Sequence, residues 1–174
     1  IAGGMMKVAV LGLGEAGAIF AEAFAAAGWQ AVGFDPASTV RTPEGVDRAS
    51  STAEAVAGAD VVLSLATAAH AVSVAREAVS ALRNDAVYID LNAASPQVKT
   101  DVARTIDGAA RVVDGALIGS VVKFGPKVNI LLAGPAAEEA ARALGAVGSD
   151  AEPIGGTVGA ASGRKLLRSV FMKG

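Results

Sequence analysis

A chain of 174 residues, 52% of them apolar and 21 of them glycine, has enough material for one domain with a full core. Lys and Arg total 15 against 17 Asp and Glu, a balance that argues against a nucleic-acid or membrane-surface partner. There is no cysteine, which excludes disulfides and thiol chemistry. No stretch has the length and apolarity of a membrane span, and no secretory signal precedes Met5, so a cytoplasmic protein is expected. Ile1 to Gly4 reads as a cloning remnant.

Lys7 to Leu11 reads as a short apolar strand, and the alanine-rich run Ala18 to Ala27 as a helix. Between them, Gly12-Leu13-Gly14-Glu15-Ala16-Gly17 sets three glycines at G-x-G-x-x-G spacing. In such a turn Gly12 permits the sharp exit from the strand. Gly14 lets a pyrophosphate approach the backbone, and Gly17 lets the helix pack on the strand. The helix start offers free N–H groups and a positive dipole end to phosphates. A second apolar strand, Ala31 to Phe34, ends in Asp35, roughly the ~20 residues downstream at which an acid meets an adenosine ribose. A carboxylate there accepts from a 2′-hydroxyl and repels a 2′-phosphate. The expected cofactor is therefore NAD in preference to NADP.

Trp29, just past the first helix, is expected to pack the helix end against the sheet. Pro36 to Ser50 reads as a long loop with one short strand near Val46. Ser51-Thr52-Ala53-Glu54 has capping-box spacing and opens a short helix ending near Gly58. Asp60 to Leu65 is a third strand, and Leu65, Ala66 and Thr67 are expected to line the adenosine and pyrophosphate side. Ala69 to Leu82 reads as helix, with His70, the single histidine, on the surface.

A fourth strand, Ala86 to Leu91, leads to Asn92, on the strand-end side where ligands bind in such sheets. Its amide both donates and accepts. Ser95-Pro96 opens a helix to about Ile106, with proline at the first helical position. Arg111 to Asp114 and Val128 to Leu132 read as the fifth and sixth strands, Pro135 to Leu144 as a helix, and Ala151 to Ile154 as a short strand. From Val158 a last helix carries Arg164, Lys165 and Arg168 among Leu166, Leu167, Val170 and Phe171.

Strands alternating with helices predict an α/β fold with a doubly wound, mostly parallel sheet of the Rossmann type. The expected division is a dinucleotide-binding domain over 1–157 and the start of a connecting helix over 158–174. No histidine and acid spacing suggests a metal, and no Gly-x-Ser-x-Gly elbow is present.

Four stretches together resemble the β-hydroxyacid dehydrogenases, the family of 3-hydroxyisobutyrate and 6-phosphogluconate dehydrogenases. They are Gly12 to Gly17, Asp90-Leu91-Asn92-Ala93-Ala94-Ser95-Pro96, Asp114-Gly115-Ala116-Leu117-Ile118-Gly119-Ser120, and Gly159-Ala160-Ala161-Ser162-Gly163-Arg164-Lys165. The resemblance implies NAD(P)-dependent oxidation of a small β-hydroxy acid by hydride transfer. It implies a catalytic role for Lys165, which takes the hydroxyl proton, and a place for Asn92 beside nicotinamide and substrate. Gly119, Ser120 and Arg168 are implied as holders of the substrate carboxylate.

Two departures put the substrate in question. The family's serine and paired glycines are replaced by Ile118-Gly119-Ser120, and its paired asparagines by Arg168-Ser169. The pattern from Lys165 to Gly174 is similar to a branch described broadly as 6-phosphogluconate dehydrogenase-like. Two other readings stay open: an imine or ketone reductase on the same scaffold, and a cofactor-binding fragment without catalysis. The family has an all-helical second domain that this chain lacks, so the chain is expected to be a truncated form. The uncovered apolar stripe of the last helix predicts a homodimer or higher oligomer.

Overall fold

The computed structural model describes residues 4–173; Ile1 to Gly3, most of the expected remnant, and Gly174 lie outside the described residues. The strands are β1 (Lys7–Leu11), β2 (Gln30–Phe34), β3 (Val46–Arg48), β4 (Val61–Ser64), β5 (Val87–Asp90), β6 (Arg111–Ile118), β7 (Asn129–Ala133) and β8 (Asp150–Pro153). The helices are α1 (Glu15–Ala26), α2 (Thr52–Val56), α3 (Ala71–Ala78), α4 (Pro96–Ile106), α5 (Val121–Phe124), α6 (Ala137–Gly145) and α7 (Ala160–Met172).

All eight strands form one sheet in the order β3-β2-β1-β4-β5-β6-β7-β8. The chain winds outward from β1 to β3, then returns to β4 on the other side of β1. Crevices for ligands lie at such reversals, outside the strand C-terminal ends. Alternate residues of β1 serve opposite faces, as the pleat requires. Val8 and Val10 pack with Phe20 and Phe24 of α1. Ala9 and Leu11 pack with Ala55 of α2, Ala75 of α3 and Val102 of α4. A small third cluster joins Ala116, Leu131 and Ala133 to Ala161 under α7. Trp29 packs edge-on against Phe24, with ring centroids 4.9 Å apart, so it closes the end of α1 as expected.

Several elements differ from the sequence expectation. The fifth strand does not stop at Asp114; β6 continues to Ile118 because β7 pairs with residues 114–118 in antiparallel register. Most of the stretch expected as a substrate loop, Asp114 to Ile118, is therefore strand, and only Gly119 and Ser120 lie beyond it. The helix expected over Ala69 to Leu82 is shorter: α3 ends at Ala78 and a 3-10 turn covers Val79–Ala81. The capping box is half formed. Ser51 Oγ accepts from the Glu54 N–H, but the Glu54 carboxylate turns back to the Ser50 N–H. The four-residue α5 carries no apolar periodicity long enough to announce it.

Candidate functional site

The site runs along the C-terminal ends of β1, β4, β5 and β6 and has two parts. At the first, the chain leaves β1 at Gly12, whose φ of +96° suits glycine and whose missing Cβ would lie 2.3 Å from the Leu65 carbonyl oxygen. A Cβ on Gly17 would lie 1.8 Å from the Gly12 carbonyl oxygen. These two positions are locked by backbone on backbone contact. Gly14 is different: a Cβ there meets nothing within 4 Å, so its surface is open toward the cleft. Helix α1 opens at Gly14 without a side-chain cap. Its first-turn N–H groups therefore face outward as an anion cradle.

Beside this turn lies a groove of about 480 Å³ lined by Gly12, Gly14, Asp35, Leu65, Ala66, Thr67 and His70, among others. The fold thus brings together most of the residues singled out for a cofactor. Leu13, Glu15, Ala16, Gly17 and Asn92 do not line it; the Leu13 side chain is buried in the core, seated over Gly33. Glu15 is exposed and Ala16 half-buried on the first turn of α1. Asp35 does two jobs, accepting from the Leu13 N–H at 2.9 Å and from the Ala37 N–H at 2.9 Å. Arg48 of β3 donates to the carbonyls of Asp35 and Ala37, folding the following loop back on the strand end. His70 is exposed as expected. It stands on the groove rim, its Nδ1 2.7 Å from Thr67 Oγ1, a placement the sequence did not announce.

The second part begins where β5 ends. A cleft of about 310 Å³ is lined by Asn92, Ser95, Pro96, Ala116, Ser162 and Lys165, among others. Asn92 is nearly buried. Its Nδ2 donates to Asp90 Oδ1 at 2.8 Å and to Ser64 Oγ at 3.0 Å. That fixes the amide orientation and leaves Oδ1 as a buried acceptor without a protein partner. Lys165, half-buried, comes to the same cleft from α7. Burial pushes its amine below the ordinary lysine pKa, and the like charge of Lys99 adds to the effect. An adjoining hollow places Gly119 with Lys165 and Arg168. Ser120 is not brought to either; its hydroxyl caps α5 by accepting from the Lys123 N–H.

Lys99 was missed by sequence reasoning. It is fully buried, with Nζ 3.2 Å from Asp90 Oδ1 and 3.5 Å from Asp114 Oδ1. A signal existed: Lys99 shares a helical face with Val102 and Ile106, both buried. Asp90 and Asp114 are partners in the β5–β6 register, so two carboxylates stand side by side at the end of β5 and the middle of β6. Among the described residues there is no group of three His, Cys, Asp or Glu placed to hold a metal ion, and no helix long and apolar enough to cross a membrane.

Residues 7–155 match the model of the NAD binding domain of 6-phosphogluconate dehydrogenase. A conserved hypothetical protein from Sinorhizobium meliloti 1021 superposes with a TM-score of 0.88 at 34% identity, over 98% of this chain and 61% of that one. The 3-hydroxyisobutyrate dehydrogenase of Mycobacterium tuberculosis, solved with L-serine, gives 0.85 at 25% identity, over 97% of this chain and 60% of that one. An imine reductase from Myxococcus stipitatus in complex with NADP+ shares the fold, with a TM-score of 0.80 at 23% identity, over 95% and 61%. A variant of it is in complex with NAD+. The chain thus spans about three fifths of the length of these proteins.

Proposed function

The chain belongs to the family of the NAD binding domain of 6-phosphogluconate dehydrogenase, and from that premise we propose that it is the cofactor-binding and proton-transferring part of an oxidoreductase acting on a small β-hydroxy acid. The observation that carries this reading is the convergence of Lys165 and the unpartnered Asn92 Oδ1 on one cleft. That cleft opens at the same sheet edge as the glycine groove.

The residues fit a dinucleotide. The open face of Gly14 and the uncapped start of α1 suit a pyrophosphate, and the groove walls at Leu65, Ala66 and Thr67 suit the adenosine half. Asp35 has both carboxylate oxygens engaged by backbone N–H groups. Each keeps a lone pair for a ribose hydroxyl, which favours NAD over NADP. When bound, the nicotinamide supplies the hydride acceptor. The protein does the rest. Asn92 Oδ1 accepts from an amide or hydroxyl at the reacting end. Lys165, its neutral form favoured by burial, takes the hydroxyl proton as the carbonyl forms. Gly119 and Arg168 flank the lysine on the side suited to a substrate carboxylate.

Leu166, Leu167, Val170 and Phe171 of α7 are exposed, which supports an oligomer or a further packed segment over that face.

The test is turnover by the full-length enzyme on a panel of hydroxy acids and cyclic imines, with NAD and with NADP. Oxidation of a β-hydroxy acid is expected. Reduction of imines alone would move the assignment to the reductase reading, and cofactor binding without turnover of either class to a non-catalytic one.

A further inference from the structure

The buried charges beneath α7 take no direct part in the chemistry proposed above, yet they connect every element that shapes the second cleft. Lys99 Nζ donates to the Asp90 carbonyl at 2.5 Å and the Gly115 carbonyl at 3.1 Å, besides its two carboxylate contacts. One ammonium thus ties α4 to the end of β5 and the middle of β6. Each carboxylate then holds a different part of the cleft. Asp90 Oδ1 accepts from the Asn92 N–H at 3.0 Å and from Asn92 Nδ2, which aims the Asn92 carbonyl outward. Asp114 accepts from the Gly159 N–H at 2.9 Å, the Ser162 N–H at 3.0 Å and the Ser162 hydroxyl at 2.6 Å. Those donors belong to the cap and first turn of α7, the helix that carries Lys165 one turn further on. None of the three charged side chains is more than 1% exposed.

We infer that Lys99 is a positioning residue: with Asp90 and Asp114 it aims Asn92 and docks the start of α7, and it sets a buried positive charge beneath the helix that carries Lys165. This deepens, and rests on, the reading of Lys165 as the proton acceptor. A core can be held by an apolar residue in place of an ion pair at little cost, so packing alone does not require a lysine here. A cation here does what an apolar side chain cannot. It offsets one of two adjacent carboxylate charges on neighbouring strands, and its own charge disfavours a second cation in the cleft. The charged groups on the elements around Lys165 are Lys99 from α4 with its partners Asp90 on β5 and Asp114 on β6, Arg164 and Arg168 on α7, and Lys173 at its end; β7 brings none. Burial is the main cause that lowers the Lys165 amine, and the like charge of Lys99 adds to it.

The test needs no substrate, so an absence of dehydrogenase activity would leave it standing. Lysines are labelled with acetic anhydride across a pH series, and Lys165 is followed by mass spectrometry, with exposed Lys123 as internal control. The midpoint reports the amine's protonation and the high-pH plateau its access. Lys99→Met alone strands two buried carboxylates and is expected to unfold the chain. The informative variant is Lys99→Met with Asp90→Asn, which removes one charge of each sign. The carboxamide oxygen that Asp90→Asn leaves in place still accepts from Asn92, and Asp114 keeps its three donors on α7. The Lys165 midpoint is expected to rise while the Lys123 midpoint stays. Labelling of Lys165 at pH 8 should fall by a factor on the order of three to ten, because the neutral fraction changes about tenfold for each pH unit of displacement. An unmoved midpoint in the folded double variant overturns the inference, as does failure of that variant to fold. The docking role is read separately in Asp114→Asn by hydrogen exchange. The Gly159 and Ser162 amides should exchange faster by on the order of tenfold or more, since a segment opens more readily once the hydrogen bonds that close it are weakened. Unchanged exchange there would remove Asp114 from the role.

Discussion

The two parts of the cleft are built from opposite materials. The glycine groove is made of backbone: Gly12 and Gly17 pressed on main-chain atoms, Gly14 open, and the N–H groups of an uncapped helix. The lysine cleft is underlain by side-chain charge: Lys99, Asp90 and Asp114 are buried under the residues that line it. Backbone dipoles hold a constant, diffuse anion with little sensitivity to pH. A proton-transfer site needs a titrating group whose neutral form is favoured, and burial next to a fixed charge achieves this. The cleft should therefore break in two separable ways, one losing chemistry and the other losing cofactor.

The largest effect is expected at the charged end. Lys165→Ala in the full-length enzyme should lower turnover by a factor on the order of 10²–10⁴, the usual size of a general acid–base contribution, with cofactor affinity nearly unchanged. Lys165→Arg should not restore it, because a guanidinium stays protonated. Near-parental turnover of the alanine variant would remove the lysine from the mechanism. The same residue sets a pH limb. Its amine titrates below the ordinary lysine value, and the neutral form is the base. Turnover should therefore rise with pH through that lowered midpoint and be lost below it. A rate that falls as pH rises over this range would reverse the assigned role.

At the backbone end, Gly14→Val should abolish NAD binding while the domain stays folded, because its side chain points into open cleft. Calorimetric titration that still finds NAD at parental affinity would make the loop structural. Gly17→Ala should do the converse and damage the fold itself, costing about 1–3 kcal/mol or more in denaturant melts, since its Cβ has no space against Gly12. Asp35→Asn should do less. The amide keeps one acceptor, and the preference for NAD over NADP should narrow by up to about tenfold, or about 1.4 kcal/mol. Equal affinities in the parent would already contradict the assignment.

The smallest effect belongs far from both parts. The Arg111–Glu139 pair is more than two fifths exposed on each side. Glu139→Gln should cost only about 0.2–1 kcal/mol, and less in high salt. Because Arg111 holds the Glu139 carboxyl below its ordinary value, its small contribution is present above the unfolded pKa and lost as pH falls through the folded one. A salt-insensitive loss would mean the glutamate acts by packing.

The sequence by itself determined the doubly wound sheet and the glycine turn, because both are local facts. A buried strand announces itself as a short apolar run, and a strand–turn–helix needs glycine at fixed spacing over Gly12 to Gly17. Lys99 was visible only as a charge on an apolar helix face, since its partners stand 9 residues before it and 15 residues after it in the chain. The antiparallel pairing of β7, which turned an expected loop into the end of β6, likewise depended on a long-range partner. Tertiary structure decided which of these distant groups share one dry volume. Charges attract or repel through space, and the distances that set their protonation exist only once α4, β5, β6 and α7 have packed together.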